Sequence, residues 1–298
     1  MGTSRFKQVG IYVGKHFRLF KNEKGWKMLI FAAVIALIVS SVLEKGVLTY
    51  DMDTWSGFFT EVSACIRIGI FNSIQVICKE RAIIKREHRT GLHISAYVVS
   101  HLIYQAILCL AEALIMIGIS AIFLKYPSYS LMGLSYLEFF ITYFLVIFAA
   151  DALGLAISSL VKTPAVAMTV MPFILIIQLV FSGALFTLAG PLKYVSHATI
   201  SRWGLNATCI SADYNNLESK EKAEIEKELY NVAASNDIPG SRDDIAKLMD
   251  SYYQKGTISR YEYSLGNLAK QWGILAAHIA VYAAVSIISL EFIDKDKR

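Results

Sequence analysis

Charge is scarce in this sequence. Only 18% of its 298 residues are Asp, Glu, Lys or Arg, whereas soluble domains carry about 25%. Four cysteines, Cys65, Cys78, Cys109 and Cys209, form no Cys-x-x-Cys pair and have no histidine at metal spacing. A structural zinc and a disulfide framework are therefore excluded as organising principles. Nucleotide and catalytic motifs are missing as well. Gly10-x-x-x-Gly14-Lys15-His16 is a phosphate loop in outline only: the spacing is one short, no Ser or Thr follows Lys15, and no strand precedes it. There is no Gly-x-Ser-x-Gly, no His-Glu-x-x-His and no pair of aspartates on adjacent apolar runs. His278 stands alone and reads as a packed, hydrogen-bonded histidine. The chain is expected to be no enzyme, and to bind no metal or cofactor of its own.

What the sequence does have is apolar length. It is 55% hydrophobic with a mean hydropathy of +0.47. The excess falls in runs of about 20 residues, the length that crosses a ~30 Å hydrocarbon core as helix. The fold class expected is an all-α membrane protein with six transmembrane helices. The net charge of +5 is no nucleic-acid signal, because its bases cluster beside apolar runs as cytoplasmic loops do.

Residues 1–27 hold seven Lys or Arg against one acid, Glu23. Val9, Val13, Phe17 and Phe20 recur at spacings of three and four, so this head reads as an amphipathic helix on the membrane surface. It is either an anchor or a lever touching a cytosolic partner. The first apolar run starts near residue 28, behind that basic head, and reads as a retained span rather than a cleaved signal. The spans are expected at 28–43, 54–78, 98–124, 131–160, 164–189 and 271–290. Span two carries Glu61, near its outer edge and able to snorkel, and the deeper Arg67, which belongs either to an ion pair or to a transport path. Pro164 suits a helix start, and Pro172 predicts a kink within span five. A basic elbow, 79–97, separates spans two and three. Head, elbow and tail carry seven, five and three bases, against Lys45 and Lys125 alone in the short loops opposite. The positive-inside rule places both termini in the cytoplasm of a cell membrane.

The domains follow: a head at 1–27, spans one to five at 28–189, an external segment at 190–270, then span six and the tail at 271–298. The first part of the external segment, Gly190–Cys209, is aromatic and too short to cross, so it reads as re-entrant. Leu217–Ala234 and Arg242–Tyr253 have helical periodicity and predict a small polar helical cap; Cys209 to Leu268 holds eleven acids and seven bases. Asn206-Ala207-Thr208 fits a glycosylation sequon, a triplet common by chance. Cys209 reads as a free thiol or an intermolecular bridge.

Three blocks together resemble the permease domain of G-subfamily ABC transporters, within the type 2 ABC exporter superfamily. The first runs from span two into the elbow, where Glu80, Arg81, Arg86, Glu87, Gly91 and Tyr97 match the family's pattern. The second is Ala150–Ser159 followed by TPAVAMTVMPFILIIQLVFSGALF, with its Phe181-Ser182-Gly183 turn. The third is YVSHATISRWGLNA. The chain departs from the family in having Leu92 where a Tyr is common, and in the size of its external cap. The family's half-transporters also carry an ATPase domain ahead of this region, which these residues do not contain.

The resemblance implies a mechanism. The elbow would be a coupling helix docking on an ABC ATPase through Glu80, Arg81, Arg86, Glu87 and Gly91, with ATP and Mg bound by that partner. Two copies of the permease, identical or not, would enclose a cavity lined by Cys65, Ile68 and Asn72 of span two and Pro172, Ile176 and Leu179 of span five. Ala184 and Leu185 would form an outer constriction. Such a lining suits an amphiphilic or hydrophobic substrate. Physically, Arg86 and Glu87 can supply charge-assisted bonds, Arg81 can meet an acidic surface or ATPase backbone, and Gly91 lets the chain turn back. The alternatives are an ABC permease for glycan or teichoic-acid chains, or an ATP-independent carrier or sensor using the cap. A carrier would favour inverted repeats, and the sequence shows none.

Overall fold

A computed structural model describes residues 4–43, 46–184, 190, 192–235, 241–252 and 256–292. Among these residues the chain is helical throughout, its sole β-type contact being a bridge between Tyr50 and Glu218. The helices are α1 (Arg5–Asn22), α2 (Trp26–Val42), α3 (Asp51–Ser73), α4 (Val76–Arg89), α5 (Ile94–Phe123), α6 (Ser135–Leu160), α7 (Pro164–Val180), α8 (Leu192–Val195), α9 (Ile200–Ser211), α10 (Lys220–Ser235), α11 (Ser241–Tyr252) and α12 (Leu265–Glu291).

The least apolar of the expected spans lies at the centre. α3 buries Phe58, Val62, Ile66 and Ile70 along with Glu61, Asn72 and Ser73, and packs against α6, α9 and α2. Its approach to α6 is close because two glycines face each other's backbones. A Cβ on Gly69 would land on the carbonyl oxygen of Ile147 in α6, and one on Gly154 would lie 2.9 Å from the carbonyl oxygen of Ile70 in α3. Small residues at such a crossing let two helices gain dispersion contacts that bulkier side chains would prevent.

Several buried polar side chains of this bundle bond to one another, as hydrocarbon favours. Tyr143 of α6 donates its hydroxyl to Glu61. Asn72 donates to Glu112 of α5 at 2.8 Å. Asp151 of α6 accepts from Ser73 and, at 2.9 Å, from Gln105. Glu138 accepts from the Met132 backbone N–H at 2.8 Å, just ahead of its own helix. Glu61 is fully buried, so it does not snorkel; the Tyr143 hydroxyl supplies inside the bundle what water would supply at the edge.

Four helical stretches are long and apolar enough to cross a membrane: α3 running into α4, then α5, α6 and α12. A fifth arises if α1 and α2, bent by 70°, count as one broken span, and α7 is a shorter apolar helix. The expected count of six therefore counts two 17-residue helices, α2 and α7, each about 25 Å long. α7 starts as the sequence predicts, with Pro164 in its first turn and the Thr163 side chain capping Val166 N–H at 3.4 Å. It continues through Pro172 to Val180 and ends at the Phe181–Gly183 turn, where Gly183 has φ of 75°. α6 starts at Ser135, not Leu131, because Gly133 takes φ of 88°. α12 starts six residues before the expected Gln271, since Ser264 caps the Asn267 N–H at 3.2 Å.

Between α7 and α12, α9 is almost wholly enclosed. The Gln178 side chain of α7 accepts from the Ile200 and Ser201 N–H groups at 2.9 and 3.3 Å, satisfying donors that a helix start leaves free. Asn206 is 4% exposed and Thr208 fully buried, so this sequon has no room for a glycan. Cys209 is a free, buried thiol. α10 and α11 pair beyond it, and α10 is tied to the start of α3: Asp51 N–H donates to the Glu218 carbonyl at 2.9 Å, and Lys220 pairs with Asp53 at 2.6 Å.

The glycine contact predicts that Gly69→Ala lowers Tm in detergent by roughly 5 °C or more, as overpacking of a close crossing does. Gly118→Ala on α5, where a Cβ meets nothing within 4 Å, should leave Tm unchanged in the same thermal scan.

Candidate functional site

α4 is the element that the chain holds most deliberately at one end of the bundle. The α3 helix breaks for two residues, Ile74 and Gln75, and resumes as α4. The expected elbow at 79–97 is thus a helix at 76–89 and a turn at 90–93, with α5 beginning at Ile94. The boundaries move because Ile77, Ile84, Leu92, Ile94 and Tyr97 form a separate apolar cluster with Leu155 of α6 and Leu290 of α12. Packing, which no local pattern records, extends both helices.

Three supports fix the inner side of α4. The first is α6: the Ser158 hydroxyl accepts from the Ile77 and Cys78 N–H groups at 3.1 and 3.2 Å, capping the helix start. Arg81 donates to the Ser159 and Val161 carbonyls at 2.8 and 3.2 Å. A guanidinium there satisfies the last carbonyls of α6 and complements the negative end of its dipole. The second is α1. Tyr12 donates to Glu87 at 2.9 Å, and Lys15 meets Glu80 at 3.5 Å. The Gln8 amide bridges the turn, donating to the Gly91 carbonyl at 3.1 Å and accepting from the His93 N–H at 3.0 Å. The third is α5, whose Tyr97 hydroxyl donates to Glu80 at 3.3 Å. Gly91 has φ of 107°, a conformation that side chains resist.

Electrostatics agree with this clamp. Burial, reinforced by the hydrogen bond to Glu87, pushes the Tyr12 phenol above its ordinary range, so it is a donor at any physiological pH. Burial and then the Lys15 charge push His16 down to about 4. His16 therefore docks neutral, against Tyr104 at a ring separation of 5.7 Å and His101 at 5.0 Å.

Of the five coupling residues named by resemblance, Glu80, Arg81, Glu87 and Gly91 thus have partners within the chain. Arg86 faces outward with Lys79, Ala82 and Ile83, the last 41% exposed. Neither Arg86 nor Lys79 has an ionic partner among the described residues. Gln8, Tyr12, His16 and Ser158 were not singled out by the sequence reading. Gln8, Tyr12 and His16 recur at four-residue spacing on the head helix, a polar row beside its apolar one, and that row was the signal available.

The six residues named for a cavity do not share one surface. Cys65, Ile68 and Asn72 are enclosed within the bundle, whereas Pro172 and Ile176 are exposed and Leu179 is half-buried. The open stripe of α3 is instead Met52, Ser56, Thr60, Arg67 and Phe71. α3 and α7 adjoin in a crevice between Ser63, Ile66 and Arg67 on one side and Leu175, Gln178 and Leu179 on the other. Arg67 has no ion-pair partner among the described residues. Ala184 is buried, its N–H donating to the Ser182 hydroxyl at 3.0 Å; Leu185 lies outside the described residues.

The bundle of long apolar helices defines a multi-pass membrane protein. Residues 7–211 match the ABC-2 type transporter family, and the chain belongs to it: a type 2 ABC transporter permease. It is also 25% identical over 230 residues to the ABC transporter ATP-binding/permease protein Rv1747 of Mycobacterium tuberculosis, an alignment covering 71% of this chain and 26% of that protein. The chain thus spans about a quarter of that relative's length.

The clamp predicts that Tyr12→Phe raises hydrogen exchange of the α1 amides about tenfold, the loss expected for a hydrogen bond to a charged group. Exchange in α6 should stay as in the unmodified chain.

Proposed function

We propose that this chain is the permease half of an exporter that drives an amphiphilic substrate across the membrane with ATP hydrolysed on another subunit or domain. The carrying observation is the division of α4 into two faces. The inner face is bonded to α1, α5 and α6. The outer face offers Ala82, Ile83 and Arg86 to a partner. A push on that outer face passes to the spans through charge-assisted bonds, the strong kind. In this reading α1, α4 and both termini are cytoplasmic, as their excess of bases favours, and α9 to α11 lie outside. The relative whose name joins ATP-binding to permease supports an ATPase as the partner.

A second copy of the permease would cover the open stripe of α3. An unpaired arginine in a span is costly against lipid and belongs toward a cavity or an interface. Exposed Ser56, Thr60 and Arg67 on α3 and exposed Phe173 and Ile176 on α7 offer both polar and greasy side chains, which suits an amphiphile. The substrate path we propose therefore runs over this stripe together with Pro172, Ile176 and Leu179, toward the Ala184 turn.

The test is purification of the tagged chain from its native host in mild detergent, followed by an ATPase assay and identification of what accompanies it. An ABC ATPase in stoichiometric amount, lost on Arg86→Glu or Ile83→Asp, is the expected result. Folded protein with no ATPase would sink the proposal. In vesicles, Glu87→Ala should lower transport at least tenfold while ATP hydrolysis continues, and normal transport in that variant would remove Glu87 from coupling.

A further inference from the structure

A cavity of about 490 Å³ lies where α1, α2, α3, α4 and α5 meet. It sits at both joints of this end of the molecule: the bend between α1 and α2, and the break between α3 and α4. Its mouth carries three lysines from three different places, Lys24 in the α1–α2 turn, Lys27 at the start of α2, and Lys79 on α4. All three are exposed, and none has an ionic partner among the described residues. Two acids also face the cavity. Glu80 is engaged by Lys15 at 3.5 Å and Tyr97 at 3.3 Å, and Glu23 is exposed at the rim.

The walls are aromatic and apolar, with Phe20, Tyr104, Phe71 and Met168 prominent. The inner end is polar. His101 and Gln105, each 1% exposed, line it. His101 Nδ1 and Gln105 Oε1 have no hydrogen-bond partner. An unmade bond at a buried polar atom costs about 1–3 kcal/mol, and of the unpartnered buried atoms among the described residues these two line this cavity. Cations at the mouth, grease along the wall and unmet polar atoms at the base describe a charged amphiphile.

We propose that this cavity binds one anionic phospholipid from the leaflet at this end of the molecule. Lys24, Lys27 and Lys79 hold its phosphate, and the oxygens of its glycerol linkage reach toward His101. Basic pockets between spans on the cytoplasmic side take such headgroups. Because the occupant touches α1, α3 and α4 together, it braces the joints through which a push on α4 must pass. The site does not depend on the identity of the ATPase or the substrate, so binding is tested apart from transport.

The experiment is native mass spectrometry of the full chain in detergent, titrated with dioleoyl phosphatidylglycerol, dioleoyl phosphatidylcholine or inorganic phosphate. One phosphatidylglycerol should bind per chain, at least tenfold more tightly than phosphatidylcholine. K24Q/K27Q/K79Q should weaken it on the order of 100-fold, from about fivefold per lysine. K7Q/K21Q/K162Q removes as many exposed lysines outside the cavity and should leave binding within about twofold, since its lysines make no cavity contact. Met28→Trp, which fills the mouth and keeps the charges, should also block it. Equal loss in both triple variants would reduce the effect to surface attraction and overturn the site. Undiminished binding in Met28→Trp, equal affinity for phosphatidylcholine, or inorganic phosphate displacing the lipid at equal concentration would overturn it too.

Discussion

The constraint on which this structure depends is that polar groups inside hydrocarbon must find partners inside the protein. α3 is the least greasy helix of the bundle and occupies its centre, where Tyr143, Glu112, Asp151 and Gln105 can reach it. α5 and α6 are fixed around it by those side chains as much as by apolar packing. Gly69 and Gly154 bring the α3 and α6 backbones close enough for the short polar side chains to meet. The polar network and the close crossing therefore need each other.

The same rule organises the end that carries α4. Helix ends there would leave donors and acceptors unmet, and the neighbours supply them: Ser158 for the start of α4, Arg81 for the end of α6, and Gln8 for the turn after α4. Each bond satisfies a terminus and also joins two elements. A helix restrained in this way moves with the spans it touches. The bonds at Glu87, Glu80 and Arg81 involve charged groups, the stronger kind. The cavity beneath α1 lies at the point where those restraints converge.

Much of the membrane architecture was legible from residue patterns. Apolar runs located the helices, the basic head announced an amphipathic helix, and the period of the polar segment predicted α10 and α11 to within three residues at each end. Less legible were helix ends, because Gly133, Ser264 and the cluster around Ile84 act through turn geometry, capping and packing. Least legible were contacts. Glu61 could be read as snorkelling because its partner, Tyr143, is 82 residues away. The cavity residues drawn from family resemblance at α3 fall on its packed side, since a one-third turn of a helix separates an enclosed face from an open one.

By itself the sequence determined what hydropathy and local propensity determine: an all-helical membrane protein with a basic elbow between two apolar runs and a polar segment late in the chain. These follow from the transfer of each residue into hydrocarbon and need no knowledge of neighbours. Only the tertiary structure decided that α3 is central, that Arg67 faces outward, that Arg81 and Glu87 turn inward while Arg86 does not, and that His101 and Gln105 line a lysine-rimmed cavity. Those outcomes depend on rotation about each helix axis and on partners distant in sequence. Close packing and pairwise hydrogen bonds set both, and neither is written in any one stretch of the chain.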